Sequence, residues 1–230
     1  HRIRVSRGLF KESLLEGWKF YFSFLMAQAN VHILLLLMQN YLSDLTQVGL
    51  YSRASSLTLF MTIVPFSIGP LLYSRWANGT KGAAALEAAL TIKVFFVALI
   101  ITCPLLIYHS KWLLGVIYGE DFILAANIFS ILVVGVCLRI VSDPLINFFS
   151  SIGKAHVNGY ASAIGLIIVV PATVVLVPRY ESIGAAAAFV LSNFAMFSIL
   201  LTVSFFYGLK SRDMVTVKVS EINKLIGMVK

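Results

Sequence analysis

The stretch from Phe122 to Ser150 determines the fold class, and it reads FILAANIFSILVVGVCLRIVSDPLINFFS. It carries only two charged residues, Arg139 and Asp143. Its length exceeds the roughly 20 residues that a helix needs to cross a hydrocarbon core of about 30 Å. The run is continuous and does not alternate in polarity, which excludes the short strands of an outer-membrane barrel. The stretch therefore predicts a membrane-spanning helix.

The whole chain shares this apolar character. Of its 230 residues, 59% are hydrophobic and 12% are charged, whereas charged residues make up about a quarter of an ordinary soluble domain. Mean hydropathy is +0.91. This composition excludes a soluble, disordered or collagen-like chain, and two cysteines, Cys103 and Cys137, are too few for a disulfide scaffold.

Five further apolar runs resemble the first in length, so we predict an all-α integral membrane protein with six transmembrane helices. The predicted spans are Trp18 to Leu42, Val48 to Trp76, Leu86 to Tyr108, Phe122 to Ser150, Gly159 to Val177 and Ile183 to Tyr207. Residues 1–17 then form a cytoplasmic juxtamembrane segment, residues 18–207 the membrane unit, and residues 208–230 a cytoplasmic amphipathic tail.

The basic residues set the orientation. If the loops alternate across the membrane from a cytoplasmic amino terminus, 14 of the 18 basic residues, Lys93 among them, fall on the cytoplasmic side. Only Lys111 and Arg179 fall on the other side, and Arg53 and Arg139 lie within spans. This asymmetry satisfies the positive-inside rule. Both termini are therefore expected in the cytoplasm, and the net charge of +8 indicates topology rather than a nucleic-acid partner.

Motifs for catalysis are absent from the sequence. It contains no P-loop, no GxSxG and no HExxH, and its four histidines are scattered without companion cysteines at ligand spacing. We expect no enzymatic activity, no metal site and no cofactor. The chain opens on His1 without the apolar region of a signal peptide, and we expect a fragment of a longer membrane protein.

Polar residues inside the bilayer are the candidates for function, because burying them is costly. On the span from Phe122 to Ser150, Arg139, Asp143 and Asn147 share a stripe about 80° wide at 100° per residue. Their position indicates a surface that faces protein or water. The four-residue spacing also allows an intrahelical pair between Arg139 and Asp143, so a purely structural role stays open.

Two other spans carry polar candidates. Gln28, His32 and Gln39 cluster within about 40° on the first span, with Ser23 and Asn30 on the opposite side. This pattern predicts a helix between a hydrated cavity and another helix, with Asn30 in an interhelical hydrogen bond. Arg53 lies about 7 Å inside its span, where it can either extend to the interface or line a cavity. The last span has a face of small residues that predicts close helix packing: Gly184, Ala188, Ser192, Ala195, Ser198 and Thr202.

Several short stretches, taken together, resemble one family. They are VGLYS at 48–52, the run from Pro65 to Trp76, YGEDF at 118–122, IGK at 152–154 and VPRYESIGAA at 177–186. Their order and spacing resemble the carboxy-terminal half of the Wzx-type O-antigen flippases, in the multidrug/oligosaccharidyl-lipid/polysaccharide exporter superfamily. The resemblance covers roughly residues 9 to 208, and none of its motifs is diagnostic alone.

The resemblance implies one six-helix lobe of a two-lobe exporter of the bacterial inner membrane. Such a protein moves an undecaprenyl-diphosphate-linked oligosaccharide across the membrane during synthesis of O-antigen, lipopolysaccharide or another surface polysaccharide. Its implied partners are the lipid-linked oligosaccharide, the bilayer, the missing amino-terminal six-helix lobe and the polysaccharide polymerase machinery. Cavity cations would meet the diphosphate, which makes Arg139 and Arg53 candidates by their chemistry.

Two other functions remain open from the sequence. A cation-coupled multidrug antiporter of the same superfamily would use an acidic residue inside a span, and Asp143 fits that requirement. A non-transporting membrane scaffold would not need the polar stripe.

The predicted topology can be checked by labelling. Single cysteines at positions 44, 111 and 181 are expected to react with membrane-impermeant thiol reagents in intact cells, because these positions lie in outer connections. Cysteines at positions 81 and 154 are expected to stay unlabelled until the membrane is permeabilised. Labelling of position 81 or 154 in intact cells would overturn the topology.

Overall fold

The computed structural model describes residues 7–42 and 44–209, and this part of the chain is helical with no strand. Two 3₁₀ segments, Leu59–Thr62 and Glu120–Ala125, interrupt the α-helices. The α-helices are α1 (Arg7–Tyr41), α2 (Leu45–Thr58), α3 (Ile63–Ala77), α4 (Lys81–Tyr108), α5 (Ser110–Tyr118), α6 (Ala126–Ser151) and α7 (Ala155–Phe206).

Five helical segments are long and apolar enough to cross a membrane. They are Phe20–Tyr41, Leu45–Ala77, Lys81–Tyr108, Glu120–Ser151 and Ala155–Phe206. The all-α membrane class predicted from composition is confirmed at this level. The number is one fewer than the six predicted runs, because α7 includes both of the last two. The predicted tail lies almost wholly outside the described residues, and residues 7–17 belong to α1.

The long helix α7 reverses direction at Glu181. This residue has φ 50° and ψ −130°, which is not a helical conformation. Across the reversal, the Ser192 Oγ donates to the Gly165 carbonyl at 2.9 Å. Residues 27 apart would be separated by about 40 Å along a straight helix. The halves 155–180, here α7a, and 182–206, here α7b, therefore lie side by side and antiparallel.

A glycine allows this tight reversal. A Cβ on Gly184 would collide with the carbonyl oxygen of Leu176 on the other side of the turn. Only glycine permits such a close approach of two backbones. Glu181 itself occupies a left-handed region that side chains rarely adopt, which costs on the order of 1–3 kcal/mol.

Helix α1 packs in parallel against α7a. Ser23 Oγ donates to the Ala155 carbonyl at 2.6 Å, and Asn30 Nδ2 donates to the Ser162 carbonyl at 3.0 Å. The two bonds have the same sequence offset of 132 residues, so the helices run in the same direction. Asn30 Oδ1 also accepts from Ser192 Oγ at 3.0 Å, which joins α1, α7a and α7b. The predicted interhelical role of Asn30 is confirmed.

Helix α6 forms the centre of the described structure and contacts α2, α3, α4, α5 and α7. Its apolar side chains pack in two clusters. One cluster contains Phe129 and Leu132 with Leu34 of α1, and the other contains Phe148 and Phe149 with other helices.

The predicted small-residue face of α7b is packed along only part of its length. Gly184, Ala188 and Ser192 are buried, whereas Thr202 is exposed. The Thr202 hydroxyl donates to the Ser198 carbonyl within the same helix at 2.7 Å. A hydroxyl that bonds to its own helix can face lipid without leaving a polar group unpaired. The prediction of close packing was therefore correct for the first half of the face, which is buried, and wrong for its end, which is exposed.

One group of connections defines an end of the described structure. Arg53 of α2 lies near Tyr118 of α5, and Ser182 donates to Gln47, so α5, the start of α2 and the turn of α7 share one end. We name this the Glu181 end. The short helix α5 lies here with Leu114 buried and Trp112 exposed. At nine residues it is too short to span, and the sequence analysis treated it as a connection.

The contact between Gly165 and Asn30 provides a stability test. A Cβ at position 165 would lie 2.7 Å from Asn30 Nδ2 and 3.0 Å from Ser192 Oγ. We expect Gly165→Ala to lower the free energy of unfolding by about 1–3 kcal/mol, because an added methyl group forces this packed junction apart. Thermal unfolding in mild detergent measures the effect.

Gly49 provides the matched control, since nothing lies within 4 Å of a Cβ at this helical position. Gly49→Ala is expected to be neutral or to stabilise by up to about 1 kcal/mol through helix propensity. Equal unfolding temperatures for the two variants would contradict the described junction.

Candidate functional site

The predicted polar stripe of α6 lies beside α3. Arg139, Asp143 and Asn147 are all partly buried. Asn147 Nδ2 donates to the Asp143 carbonyl at 2.9 Å within the helix. A Cβ on Gly69 of α3 would lie 3.2 Å from the same nitrogen, so α3 approaches α6 closely at this level. The stripe is therefore at a helix interface and not on a freely exposed surface.

In the described part of the chain no direct ion pair joins Arg139 to Asp143, although their spacing allows one. The described ion pair elsewhere is Arg75 to Glu87, with Nε to Oε2 at 3.0 Å. Without a direct bridge, the guanidinium and the carboxylate both keep their hydrogen-bonding capacity.

The helical segment that approaches Asn147 is broken. The segment Leu45–Ala77 is interrupted by the 3₁₀ turn Leu59–Thr62, and Pro65 and Pro70 follow in α3. Thr62 Oγ1 donates to the Leu59 carbonyl at 2.7 Å, which replaces part of the lost helical bonding. A 3₁₀ stretch within a helix often marks a hinge. The sequence predicts one continuous span here, from Val48 to Trp76, and the break was not predicted.

Lys93 corrects the charge assignment. The sequence analysis placed it on the cytoplasmic side, but it lies in α4 twelve residues after Lys81, or about 18 Å along the axis. It is only 7% exposed. Lys93 is therefore a third charged residue at membrane depth, in addition to Arg139 and Asp143. Its place seven residues inside the predicted span was the signal that the charge count overlooked.

A further polar residue extends the stripe toward α7a. Asn158 is buried, and its Nδ2 donates to the Ile146 carbonyl at 2.9 Å and to Ser150 Oγ at 3.0 Å. Its Oδ1 has no partner among the described residues. The sequence analysis missed Asn158 because it falls one residue before the predicted span at Gly159.

The α1 candidates occupy a different surface. Gln28, His32 and Gln39 are exposed, on the side away from the Asn30 contacts. Helix α1 packs chiefly on α7, and no hydrogen bond or ion pair links these three residues to the α6 stripe within residues 7–42 and 44–209. The predicted two-sided helix is thus present, whereas the hydrated cavity beside it stays a prediction.

Arg53 is held at the Glu181 end. It is exposed, and its Cζ lies 5.6 Å from the centre of the Tyr118 ring. Such a cation–π contact contributes about 0.5–1 kcal/mol at an exposed site. This contact accounts for the position of Arg53 without a ligand and separates it from the α6 stripe.

A small cavity of about 250 Å³ opens at the Glu181 end. Its polar lining comes from Gln47, Asn127, Tyr180 and Glu181, and its apolar lining from Leu50, Leu124, Ile128 and Ile183. Ser182 Oγ donates to the Gln47 carbonyl at 2.9 Å and to Gln47 Oε1 at 2.5 Å. These bonds fix the start of α2 to the turn of α7, so the cavity walls are tied together.

Asp44 begins α2 at the same end. Its side chain accepts from the Thr46 backbone N–H at 2.9 Å. Hydrogen bonds from Thr46 lower the pKa of the Asp44 carboxyl below its usual range, because they favour the charged form. The ionised cap also complements the positive end of the helix dipole.

A second, apolar cavity of about 450 Å³ lies between α4, α6 and α7b. Both cysteines line it, Cys103 from α4 and Cys137 from α6, and the two thiols are close enough to influence each other electrostatically. Both are free. The sequence analysis placed them in apolar runs without bringing them together.

The cysteine pair can be tested by oxidation. We expect copper phenanthroline to form an intramolecular disulfide, in which both thiols lose a proton and the oxidant takes two electrons. The denatured product should then resist maleimide–polyethylene glycol until it is reduced. Cys103→Ser should leave Cys137 labelled under all conditions. Full labelling of the oxidised wild-type chain would show that α4 and α6 are not adjacent at this level.

Comparison with known proteins adds one distant relative. The chain is 26% identical over 164 residues to the uncharacterized membrane protein MJ1068 of Methanocaldococcus jannaschii, a match that covers 68% of this chain and 32% of that relative. The chain thus spans about a third of the relative's length. No family model matches the chain, and no solved structure matches it.

Fold and comparison together define the class of the protein. The apolar helices and the similarity to a membrane protein identify an all-α membrane protein. Among the described residues, no three histidine, cysteine, aspartate or glutamate side chains gather to hold a metal ion. Polar features of the described residues include the α6 stripe with Asn158, Lys93, the α1 surface, and the cavity at the Glu181 end with Arg53 nearby.

Proposed function

We propose that this chain forms one lobe of a two-lobe exporter. The exporter moves an undecaprenyl-diphosphate-linked oligosaccharide from the cytoplasmic to the outer leaflet of a bacterial inner membrane, for the synthesis of surface polysaccharide. The observation that carries the proposal is the partly buried stripe of Arg139, Asp143 and Asn147 at membrane depth, with Asn147 close to Gly69 of the broken helix. Polar groups are retained at such a depth chiefly for function.

Arg139 is the residue proposed to meet the diphosphate. Its planar guanidinium offers a fork of donors that matches two phosphate oxygens at once. Because no direct ion pair occupies this fork in the described part of the chain, an anion can approach it.

We further propose six membrane crossings with both termini in the cytoplasm. The halves α7a and α7b each exceed the roughly 20 residues that a crossing requires, and the reversal at Glu181 separates them. The reversal lies with α5 and the start of α2, which the charge distribution assigns to the outer side. The Glu181 end is accordingly the outer end.

The second lobe is proposed from two features. MJ1068 is about twice as long as this chain, since the match covers 68% of one and 32% of the other. In addition, α1 presents Gln28, His32 and Gln39 on an exposed surface. Two amides and one imidazole facing lipid would be unfavourable, whereas facing a second lobe across a hydrated cavity satisfies them.

A cation-coupled multidrug antiporter is the second candidate, and Asp143 is the observation that favours it. This carboxyl is partly buried at membrane depth and makes no direct ion pair in the described structure. An antiporter would need its charge for ion coupling. Asp143→Asn separates the two functions, because it would abolish coupled drug efflux and leave polysaccharide export largely intact.

The exporter proposal is tested with Arg139 variants of the complete two-lobe protein in a flippase-deficient strain. Arg139→Ala is expected to reduce surface polysaccharide about 10- to 100-fold, the equivalent of a lost charged hydrogen bond of about 1.5–3 kcal/mol. Arg139→Lys should retain partial export, because it keeps the charge and loses the fork. Lys111→Ala, an exposed basic residue of α5, is the matched control and should export normally.

A structural role predicts a different pattern. If Arg139 only compensates Asp143, then Arg139→Ala should lower protein abundance by leaving a buried carboxylate alone. The double change to alanine should restore both abundance and export. Full export by the double variant at matched abundance would refute the contact with diphosphate.

A further inference from the structure

We infer that the cavity at the Glu181 end binds a neutral sugar ring. The inference deepens the proposed function, on which its role in export rests, by assigning the glycan part of the substrate to residues remote from Arg139. The binding itself is a property of the cavity and can be measured without transport.

The lining has the chemistry that recognises a sugar. Gln47 and Asn127 supply carboxamides that both donate and accept hydrogen bonds, and Glu181 supplies a carboxylate that accepts them from hydroxyls. The Tyr180 ring offers a flat face and a phenol. Leu50 and Ile128 complete an apolar wall for the C–H face of a ring. A few polar groups set in an apolar wall are typical of small-molecule sites.

The size and charge of the cavity restrict the class of ligand that it can bind. Its volume of about 250 Å³ lies just below the range of about 300–1,000 Å³ for drug-sized ligands, which suits a single ring. Its eight lining residues include one carboxylate and no cation, so a phosphate is disfavoured. One carboxylate is also too few for a Ca²⁺ site, which takes six to eight oxygen ligands.

The polar groups of the cavity are available to a ligand. Gln47 Oε1 accepts from Ser182, which orients the carboxamide and leaves its amino group as a donor. The side chains of Asn127 and Glu181 have no hydrogen-bond partner among the described residues, and both are exposed. Sugar hydroxyls would therefore replace water and would not break bonds within the protein.

The backbone of Glu181 supports a role beyond the turn itself. Among the described residues, Glu181 is the non-glycine residue with a positive φ, of 50°. A glycine at this position would relieve the strain. Strained residues persist where their side chains serve a function. Here the strain places a carboxylate at the rim of the cavity.

Saturation-transfer NMR tests the inference on the purified protein in lipid nanodiscs. The probes are the methyl glycosides of glucose, galactose, N-acetylglucosamine and rhamnose. We expect saturation of the ring protons of at least one of them, and a loss of at least fivefold in that signal for Asn127→Ala and Glu181→Gly. The glycine variant relieves backbone strain, so its unfolding temperature should be equal to or above that of the unmodified protein.

The matched control is Asn78→Ala, which removes a carboxamide from the connection between α3 and α4. Its side chain bonds only to the Ser74 carbonyl among the described residues, and its sugar signal should be unchanged. Absence of signal with all four glycosides, or equal signals in all variants, would overturn the site. The two proposals can fail separately. If the cavity variants lose sugar binding while Arg139→Ala leaves export intact, the sugar site is supported and the diphosphate contact is refuted.

Discussion

Inside a hydrocarbon layer no water can satisfy a backbone N–H or C=O, and this constraint underlies the whole structure. It requires helices, and it leads most hydroxyls to bond back to their own helix, as Thr173 Oγ1 does to the Val169 carbonyl at 2.6 Å. Polar side chains that depart from this local solution are therefore informative. Asn30 and Asn158 bond between helical segments, and Arg139, Asp143 and Lys93 carry charge at membrane depth.

Lipid tails are as apolar as leucine, so helices in a membrane associate through close packing and hydrogen bonds rather than through apolar burial. The junction of Asn30, Ser192 and Gly165 follows this rule. So does Gly135 of α6, where a Cβ would lie 2.6 Å from the Phe189 ring of α7b. Helices α1 and α6 thus pack closely on α7. The segment Leu45–Ala77, in contrast, is interrupted by a 3₁₀ turn and contains two prolines. Asn147 of the α6 stripe lies close to Gly69 of this broken segment, so a movement of α3 would alter its surroundings.

The two proposed sites differ in chemistry and in position. The stripe offers a guanidinium at membrane depth, and the cavity at the Glu181 end offers amides, a carboxylate and an aromatic ring. A lipid-linked oligosaccharide has an anionic head next to the lipid and a neutral glycan beyond it. In the exporter that we propose, each part of such a substrate meets the residues that suit it, and the absence of a cation from the cavity lining keeps the diphosphate from competing for the glycan site.

Much of the fold was predictable because the bilayer imposes a length and a polarity on each helix. The apolar runs alone indicated an all-α membrane protein, and the angular separation of Asn30 from Gln28 and His32 indicated opposite faces of α1. The sequence also singled out Arg139, Asp143 and Asn147, since charged and amide groups stand out in apolar runs. It missed the burial of Lys93, because counting charges by connection ignores how far a residue lies along its helix.

Only the tertiary structure decided which residues meet. Composition cannot show that Ser182 bonds to Gln47, that Cys103 lies beside Cys137, or that Asn147 faces Gly69, since each contact joins segments far apart in the chain. The break at Leu59–Thr62 was likewise invisible, because it occurs in apolar sequence that periodicity assigns to ordinary helix. The connection around Glu181 was predicted, whereas its strained backbone and its contact with α2 were not. Hydrophobicity determined how many residues enter the membrane, and packing between helices, which depends on the shape of individual side chains, determined where the polar ones came together.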